Sequence, residues 1–178
     1  MKLEEILMSD DVVKSINDNI DDLLLIIPEI KYMIGFEHNH PHHHLDVWNH
    51  TLLALSLSKK DYDVRLALLL HDIGKPFSYQ DEEVRHFRNH AKISELISKN
   101  ILQRLGYNNN YMLHICYLIK HHDIPIDSKQ IEKDYDTCLT LYEIQRCDAL
   151  AHNPDKLENR KKYLEDVQKK LIKTVNVK

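Results

Sequence analysis

Apolar residues recur three and four positions apart along most of this chain, the spacing of one helical face. The pattern predicts helices over 2–8, 11–27, 28–36, 43–58, 62–72, 90–105, 109–122, 135–152 and 155–174. The joins carry breakers: Pro28, Pro41, Gly74-Lys75-Pro76, Gly106, Pro125 and Pro154. Leu45, Trp48, Leu52 and Leu55 mark one buried stripe, and Ile93, Leu96, Ile97 and Ile101 another. The expectation is an all-α, single-domain helical bundle over 1–178, without internal repeat or separating linker. Residues 73–89, with Phe77, Tyr79 and Phe87, form the longest non-periodic piece, either a loop over a site or a surface connection. The longest apolar runs, 23–27 and 66–70, are far shorter than the ~20 residues of a membrane span. Met1-Lys2-Leu3-Glu4-Glu5 opens no apolar leader, so a cytoplasmic protein with no membrane partner is expected.

Composition narrows the chemistry. At 178 residues and 43% hydrophobic the chain can bury a real core. Its net charge of −4 argues against a strongly basic nucleic-acid binder. Segment 154–178 is locally basic, which a solvated amphipathic helix explains better than a nucleic-acid contact. Three separated glycines exclude a dinucleotide fingerprint and a phosphate loop. Three unpaired cysteines give no disulfide framework and no thiolate zinc site. The outlying feature is 13 histidines.

Several of those histidines fall on apolar faces. His71 follows Val64, Ala67 and Leu68 and precedes Asp72; His122 shares a face with Ile115, Leu118 and Ile119. Asp148 lies with Leu141, Ile144 and Ala151, His90 leads toward Ile93 and Ile97, and His50 sits among Val47, Ala54 and Leu57. Any one of them alone is an ordinary hydrogen-bonded core residue. His121 and His122 could complement a helix C-terminus before Pro125, and Asp148 could pair with Arg146 or His152. Together they place imidazole and carboxylate on several facing helices, the way bundles build metal sites. A sulfur-free donor set suits Fe, Mn, Co, Ni, Zn or Mg. The tract His38-Asn39-His40-Pro41-His42-His43-His44 stands apart; His43 shares the face of His50 if the helix reaches back to it.

His50, the string His71-Asp72-Ile73-Gly74-Lys75 after an apolar helix, then His90, His121-His122 and Asp148 resemble the HD-domain superfamily of metal-dependent phosphohydrolases. The resemblance runs from about 39 to 153, with helices 1–36 and 154–178 expected to pack around that core. His43 to Leu53, Phe87-Arg88-Asn89-His90 and Asp148 to His152 look like HD domains attached to tRNA nucleotidyltransferases, which usually carry Gly where Asn89 stands. With no nucleotidyltransferase segment in front, adenylyl transfer is not expected. The ligand order also resembles dinuclear HD-GYP phosphodiesterases, but Asp123-Ile124-Pro125-Ile126-Asp127 lacks the GYP signature.

The resemblance implies one or two divalent ions. His50, His71, Asp72 and Asp148 would hold the first. Asp72 would bridge to a second, held by His90, His122 and, less favoured by its face, His121. It implies hydrolysis of a phosphomonoester or phosphodiester, a nucleotide by preference, by metal-activated hydroxide. Asp72 and Lys75 would be catalytic, Lys75 neutralising phosphoryl charge, with His43 and Arg88 as substrate contacts beside Arg65 and Arg85. The alternatives are a non-catalytic metal-containing nucleotide or nucleic-acid sensor and a diiron oxygenase on the same fold.

Overall fold

A computed structural model describes residues 2–176; Met1 and residues 177–178 of the expected 1–178 domain lie outside it. The described residues form α1 (Leu3–Leu7), α2 (Val12–Asp18), α3 (Ile20–Ile26), α4 (Val47–Ser56), α5 (Tyr62–Leu70), α6 (His90–Arg104), α7 (Asn109–Lys120), α8 (Ser128–Lys133), α9 (Tyr135–Leu150) and α10 (Glu158–Asn176). Short 3₁₀ turns cover Pro28–Tyr32, Lys75–Phe77 and Pro154–Lys156. The fold is all-α, and among the described residues β-pairing is confined to the isolated bridges Glu37–Asp46 and Gln80–His86.

Side-chain caps set many of the helix starts. Asp11, Asp46, Asp61, Asn108, Asp127 and Asp134 each accept a hydrogen bond from the backbone N–H three residues on. Helix α5 is the axis. Leu66, Ala67, Leu68, Leu69 and Leu70 are all fully buried, as befits a helix that is apolar on every side. It packs against α1, α4, α7 and α9, while α6 pairs with α7 and α10 lies on α8 and α9. Arg65, a sequence candidate for phosphate binding, is buried instead. Its guanidinium donates to Leu7 O and Ser9 O, fastening the N-terminal segment to the core.

Other differences from the sequence reading have local causes. The expected helix 11–27 breaks at Asn19, whose side chain donates back to Ser15 O. Segment 28–36 is helical only as a 3₁₀ turn after Pro28. Helix 43–58 begins at Val47, capped by Asp46, so His43 precedes the helix rather than sharing its face. Helix α8, which the periodicity misses, is held by a capping box between Asp127 and Gln130. The buried face of α6 is Ala91, Ser94, Ser98, Ile101 and Leu102, whereas Leu96 is 55% exposed. Small residues on that face let α6 approach the turn after α5 closely: a Cβ on Gly74 would lie 2.5 Å from Ser94 N.

Candidate metal centre

The site forms where α5 ends. His71 and Asp72 follow the last turn of α5, His50 comes from α4, Asp148 from α9, His90 opens α6, and His122 lies two residues past α7. All six are buried except His90, which is half-buried. Each imidazole is fixed by its Nδ1. That atom lies 3.2 Å from Ala151 O in His50, 2.7 Å from Leu68 O in His71, 3.0 Å from Phe87 O in His90 and 2.6 Å from Ile119 O in His122. A carbonyl oxygen only accepts, so Nδ1 carries a hydrogen in all of them, and Nε2 is the atom that faces the cluster. This is how proteins orient histidines that bind metals.

The Nε2 atoms converge on two carboxylates. His50 Nε2 lies 2.9 Å from Asp148 Oδ1 and 3.7 Å from Asp72 Oδ2. His71 Nε2 is 3.2 Å from Asp72 Oδ2 and 3.5 Å from Asp148 Oδ1. On the other side, Asp72 Oδ1 is 3.4 Å from His90 Nε2 and 3.9 Å from His122 Nε2. Two overlapping sets result, one of His50, His71, Asp72 and Asp148 and one of Asp72, His90 and His122; within each, one donor atom per residue lies within 4.8 Å of the others.

These residues fit divalent ions on three counts. First, His71 Nε2 and both oxygens of Asp72 are buried without a properly directed hydrogen bond, a cost that folded proteins normally avoid. Second, His90 Nε2 and His122 Nε2 face each other at 3.2 Å, although both rings carry their hydrogen on Nδ1. Two lone pairs at that distance call for a shared cation. Third, burial holds His90 below its ordinary pKa and pushes His122 down to about 4, so both rings are neutral ligand forms. Burial alone would raise Asp72 and Asp148, yet the surrounding imidazoles, and Lys75 at Asp72, hold both well below the usual carboxylate range. His71 shows the reverse balance: against its burial, the two carboxylates lift it to about 10. A divalent cation would answer this concentration of negative charge.

Comparison with known proteins gives the same frame. The family model described as "HD domain" matches residues 42–168. The chain belongs to the HD domain family. The match runs past the expected limit of 153 into α10. The chain is 32% identical over 104 residues to a CC-adding tRNA nucleotidyltransferase of Thermus thermophilus, covering 54% of this chain and 24% of that protein. It is 31% identical over 119 residues to an A-adding tRNA nucleotidyltransferase of Deinococcus radiodurans, covering 61% and 27%. A Multifunctional CCA protein of Shewanella denitrificans is 37% identical over 95 residues, covering 50% and 22%. The chain thus spans about a quarter of the length of these relatives.

Around this HD centre lies an open cavity of about 200 Å³. Lys75 forms part of its wall, its Nζ 2.7 Å from Asp72 Oδ2. His38 Nε2 accepts from the same ammonium at 3.1 Å while His38 Nδ1 donates to Leu45 O, and burial with the Lys75 charge lowers His38 to about 2. His43 lines the cavity, stacked on His38 at 3.7 Å and 4.3 Å from the ring of His152. The 73–89 segment is a loop over the site: Arg85, His86 and Phe87 line the cavity. Arg85 is fixed by Asp81, by Glu37 O and by the faces of Phe36 and Tyr79. Arg88 is exposed and stands outside the lining. His121 is turned away, its ring stacked on Tyr117 and its Nδ1 donating to Tyr117 O.

Sequence reasoning names His38 only as part of its histidine tract, with no role, and passes over Arg160. Arg160 lines the cavity from α10 and approaches Asp148 Oδ2 at 3.9 Å. Asn89, standing where the resembling HD domains usually carry Gly, adopts φ 61°. That left-handed conformation suits glycine, and asparagine is among the side chains that tolerate it best. The helix bearing His90 therefore starts in the manner such a motif requires.

Proposed function

We propose that this HD domain is a metal-dependent phosphohydrolase acting on a phosphomonoester or phosphodiester, with a nucleotide as the preferred substrate class and the cytoplasm as its place of work. The observation that carries the reading is Asp72. Its two oxygens are buried without directed hydrogen bonds and face opposite imidazole sets, Oδ2 toward His50 and His71 and Oδ1 toward His90 and His122. A carboxylate so placed could serve an ion on each side, and paired ions are a recurring device of phosphate-ester hydrolysis. Divalent ions bound there would lower the pKa of water and draw charge from phosphoryl oxygens.

The chain's own residues supply the rest. Lys75, held between Asp72 and His38, presents a positive charge already oriented toward the cavity, so little reorganisation is needed as phosphoryl charge develops. Arg85, in the 73–89 loop, and Arg160, on α10, both line the cavity as anion contacts. His43 and His152 line the same cavity as neutral rings, burial holding His43 far below its ordinary value and His152 at about 4. The relatives named for tRNA keep RNA ends among the substrates to be tried.

The test is metal analysis of tag-free protein, then a panel of phosphomonoesters, phosphodiesters, nucleotides and phosphorylated RNA ends with Mn²⁺, Co²⁺, Ni²⁺ and Mg²⁺. We expect metal-dependent release of phosphate or of one ester arm, abolished in Asp72→Ala while the circular dichroism spectrum stays helical. Equal turnover by Asp72→Ala, or no turnover of any phosphate ester by metal-loaded protein, overturns the reading.

A further inference from the structure

Beside the metal pocket lies a second cavity, of about 130 Å³. His122, Asp123, Asp148 and Arg160 border both, so the two are neighbouring rooms with a common wall. Past that wall the surface turns apolar, built from Ile124, Pro125, Ala149 and Leu164 beside Tyr163. The polar groups there are already used. Gln145 Nε2 donates to His121 O at 3.1 Å and Ile124 O at 2.7 Å. The Tyr163 hydroxyl donates to Gln145 Oε1 at 2.7 Å and accepts from Ile126 N at 2.9 Å. Arg160 differs: its ion-pair approach to Asp148 at 3.9 Å is loose and leaves guanidinium N–H groups for a ligand. Arg160, Tyr163 and Leu164 sit three and four residues apart, one face of α10.

We propose that this second cavity seats the non-phosphoryl side of the substrate, and that the substrate is a phosphate ester carrying a single aromatic ring. The proposal rests on the phosphohydrolase reading of the adjacent centre. The metal pocket, with its cations and imidazoles, takes the phosphoryl group; Arg160 spans the wall and contacts its oxygens; the ring lies beyond. Size sets the ring. A dry apolar cavity of about 150 Å³ accepts benzene, so about 130 Å³ gives room for one six-membered ring. Past the shared wall the polar groups of Gln145 and Tyr163 are taken up by each other and by main-chain atoms, so the ring is chosen there by shape and apolar contact.

Phenylphosphonate and methylphosphonate test this by binding alone, because their carbon–phosphorus bonds are not hydrolysed by phosphate-ester chemistry. Calorimetry on Mn²⁺-loaded full chain should show phenylphosphonate binding about tenfold or more tighter than methylphosphonate, the gain expected from burying most of one ring. That ratio should collapse toward one in Ile124→Glu, an exposed position on the cavity rim, and in Leu164→Phe, which fills the space. Ile172→Glu, exposed elsewhere on α10, should keep the ratio. Equal affinity of the two probes, no binding of either, or an unchanged ratio in Ile124→Glu overturns the subsite. The two readings fail separately. A preserved phenyl preference with no ester turnover would leave the subsite standing without the hydrolase. Turnover with no phenyl preference would do the reverse.

Discussion

Gly74→Ala is the substitution on which fold and site most directly meet. Gly74 has φ −83° and ψ −14°, which alanine adopts freely, so any penalty comes from contact and not from backbone strain. The new Cβ would lie 2.5 Å from Ser94 N, 2.7 Å from His90 O and 2.8 Å from Ser94 Oγ. The first two are main-chain atoms in the opening turn of α6 and cannot rotate aside. Ser94 N must recede from 2.5 Å to the 3.4 Å of ordinary contact, a move of about 0.9 Å. That move also breaks the bond from Gly74 N to Ser94 Oγ, now 2.9 Å. Overpacking of this kind costs ~1–3 kcal/mol and the buried hydrogen bond ~1 kcal/mol, giving ~2–4 kcal/mol in all. At ~2–4 °C per kcal/mol for a chain of this size, Tm should fall by roughly 5–15 °C. Because α6 begins at His90, the same displacement pulls His90 away from Asp72, whose Oδ1 now lies 3.4 Å off. Urea unfolding beside metal analysis reads both effects: lower stability, a weakened second ion, and a retained first ion on His50, His71, Asp72 and Asp148. Gly106→Ala is the control, with φ +80° but nothing within 4 Å of its Cβ, so it should lose ~1–2 kcal/mol of stability and no metal. A Gly74→Ala protein within ~0.5 kcal/mol of wild type and carrying its full metal complement would refute this account.

The remaining predictions concern other parts of the chain. Wild type should bind two ions per chain and His90→Ala or His122→Ala about one, with turnover down by several orders of magnitude; a wild type that saturates at one ion, kept by both variants, moves these histidines to substrate binding. Arg160→Gln should raise KM for the preferred phosphate ester about tenfold by removing a charged contact, and an unchanged KM would remove Arg160 from the site. Glu143, buried yet held below its ordinary 4.5 by the hydrogen bonds and charge of Arg146 and by the Lys59 N–H, should stabilise the fold. Since its folded pKa is the lower one, that stability is present above pH 4.5 and drains away as pH falls through the folded value. Glu143→Gln should therefore lose ~1–2 kcal/mol near neutrality and converge on wild type in acid, whereas a constant difference across pH would contradict it.

How much of this was legible in the sequence depends on whether a residue acts through its own helix or through a neighbour. Caps, breakers and the continuous apolar run of α5 are local, and they place the His71-Asp72 turn without any tertiary knowledge. The face of α6 differs from the apolar stripe because Ser94 and Ser98 count as polar while close helix approach buries them, and because Leu96 points outward. Helix α8 carried a signal that periodicity ignores, the Asp127-to-Gln130 capping box. His38 carried only its place in the histidine tract, and Arg160 carried no signal. His38 meets Lys75 only because the loop returns through the Glu37–Asp46 bridge, and Arg160 sits in a solvated, charge-rich helix until α10 packs on α9.

The histidines make the same point more sharply. His71, His90 and His122 each donate Nδ1–H to the carbonyl three residues back, from Leu68, Phe87 and Ile119. For His71 and His122 that carbonyl lies in the last turn of a helix, where the regular intrahelical partner is missing. The modest reading of His122 as a helix-end residue and the sharper reading of it as a ligand are therefore not rivals. One ring nitrogen answers the first, and by doing so it fixes the tautomer and aims the other nitrogen at Asp72. A histidine just past an apolar helix is thus already oriented by local structure, and two such helix ends, those of α5 and α7, meet around Asp72 to form the candidate metal centre.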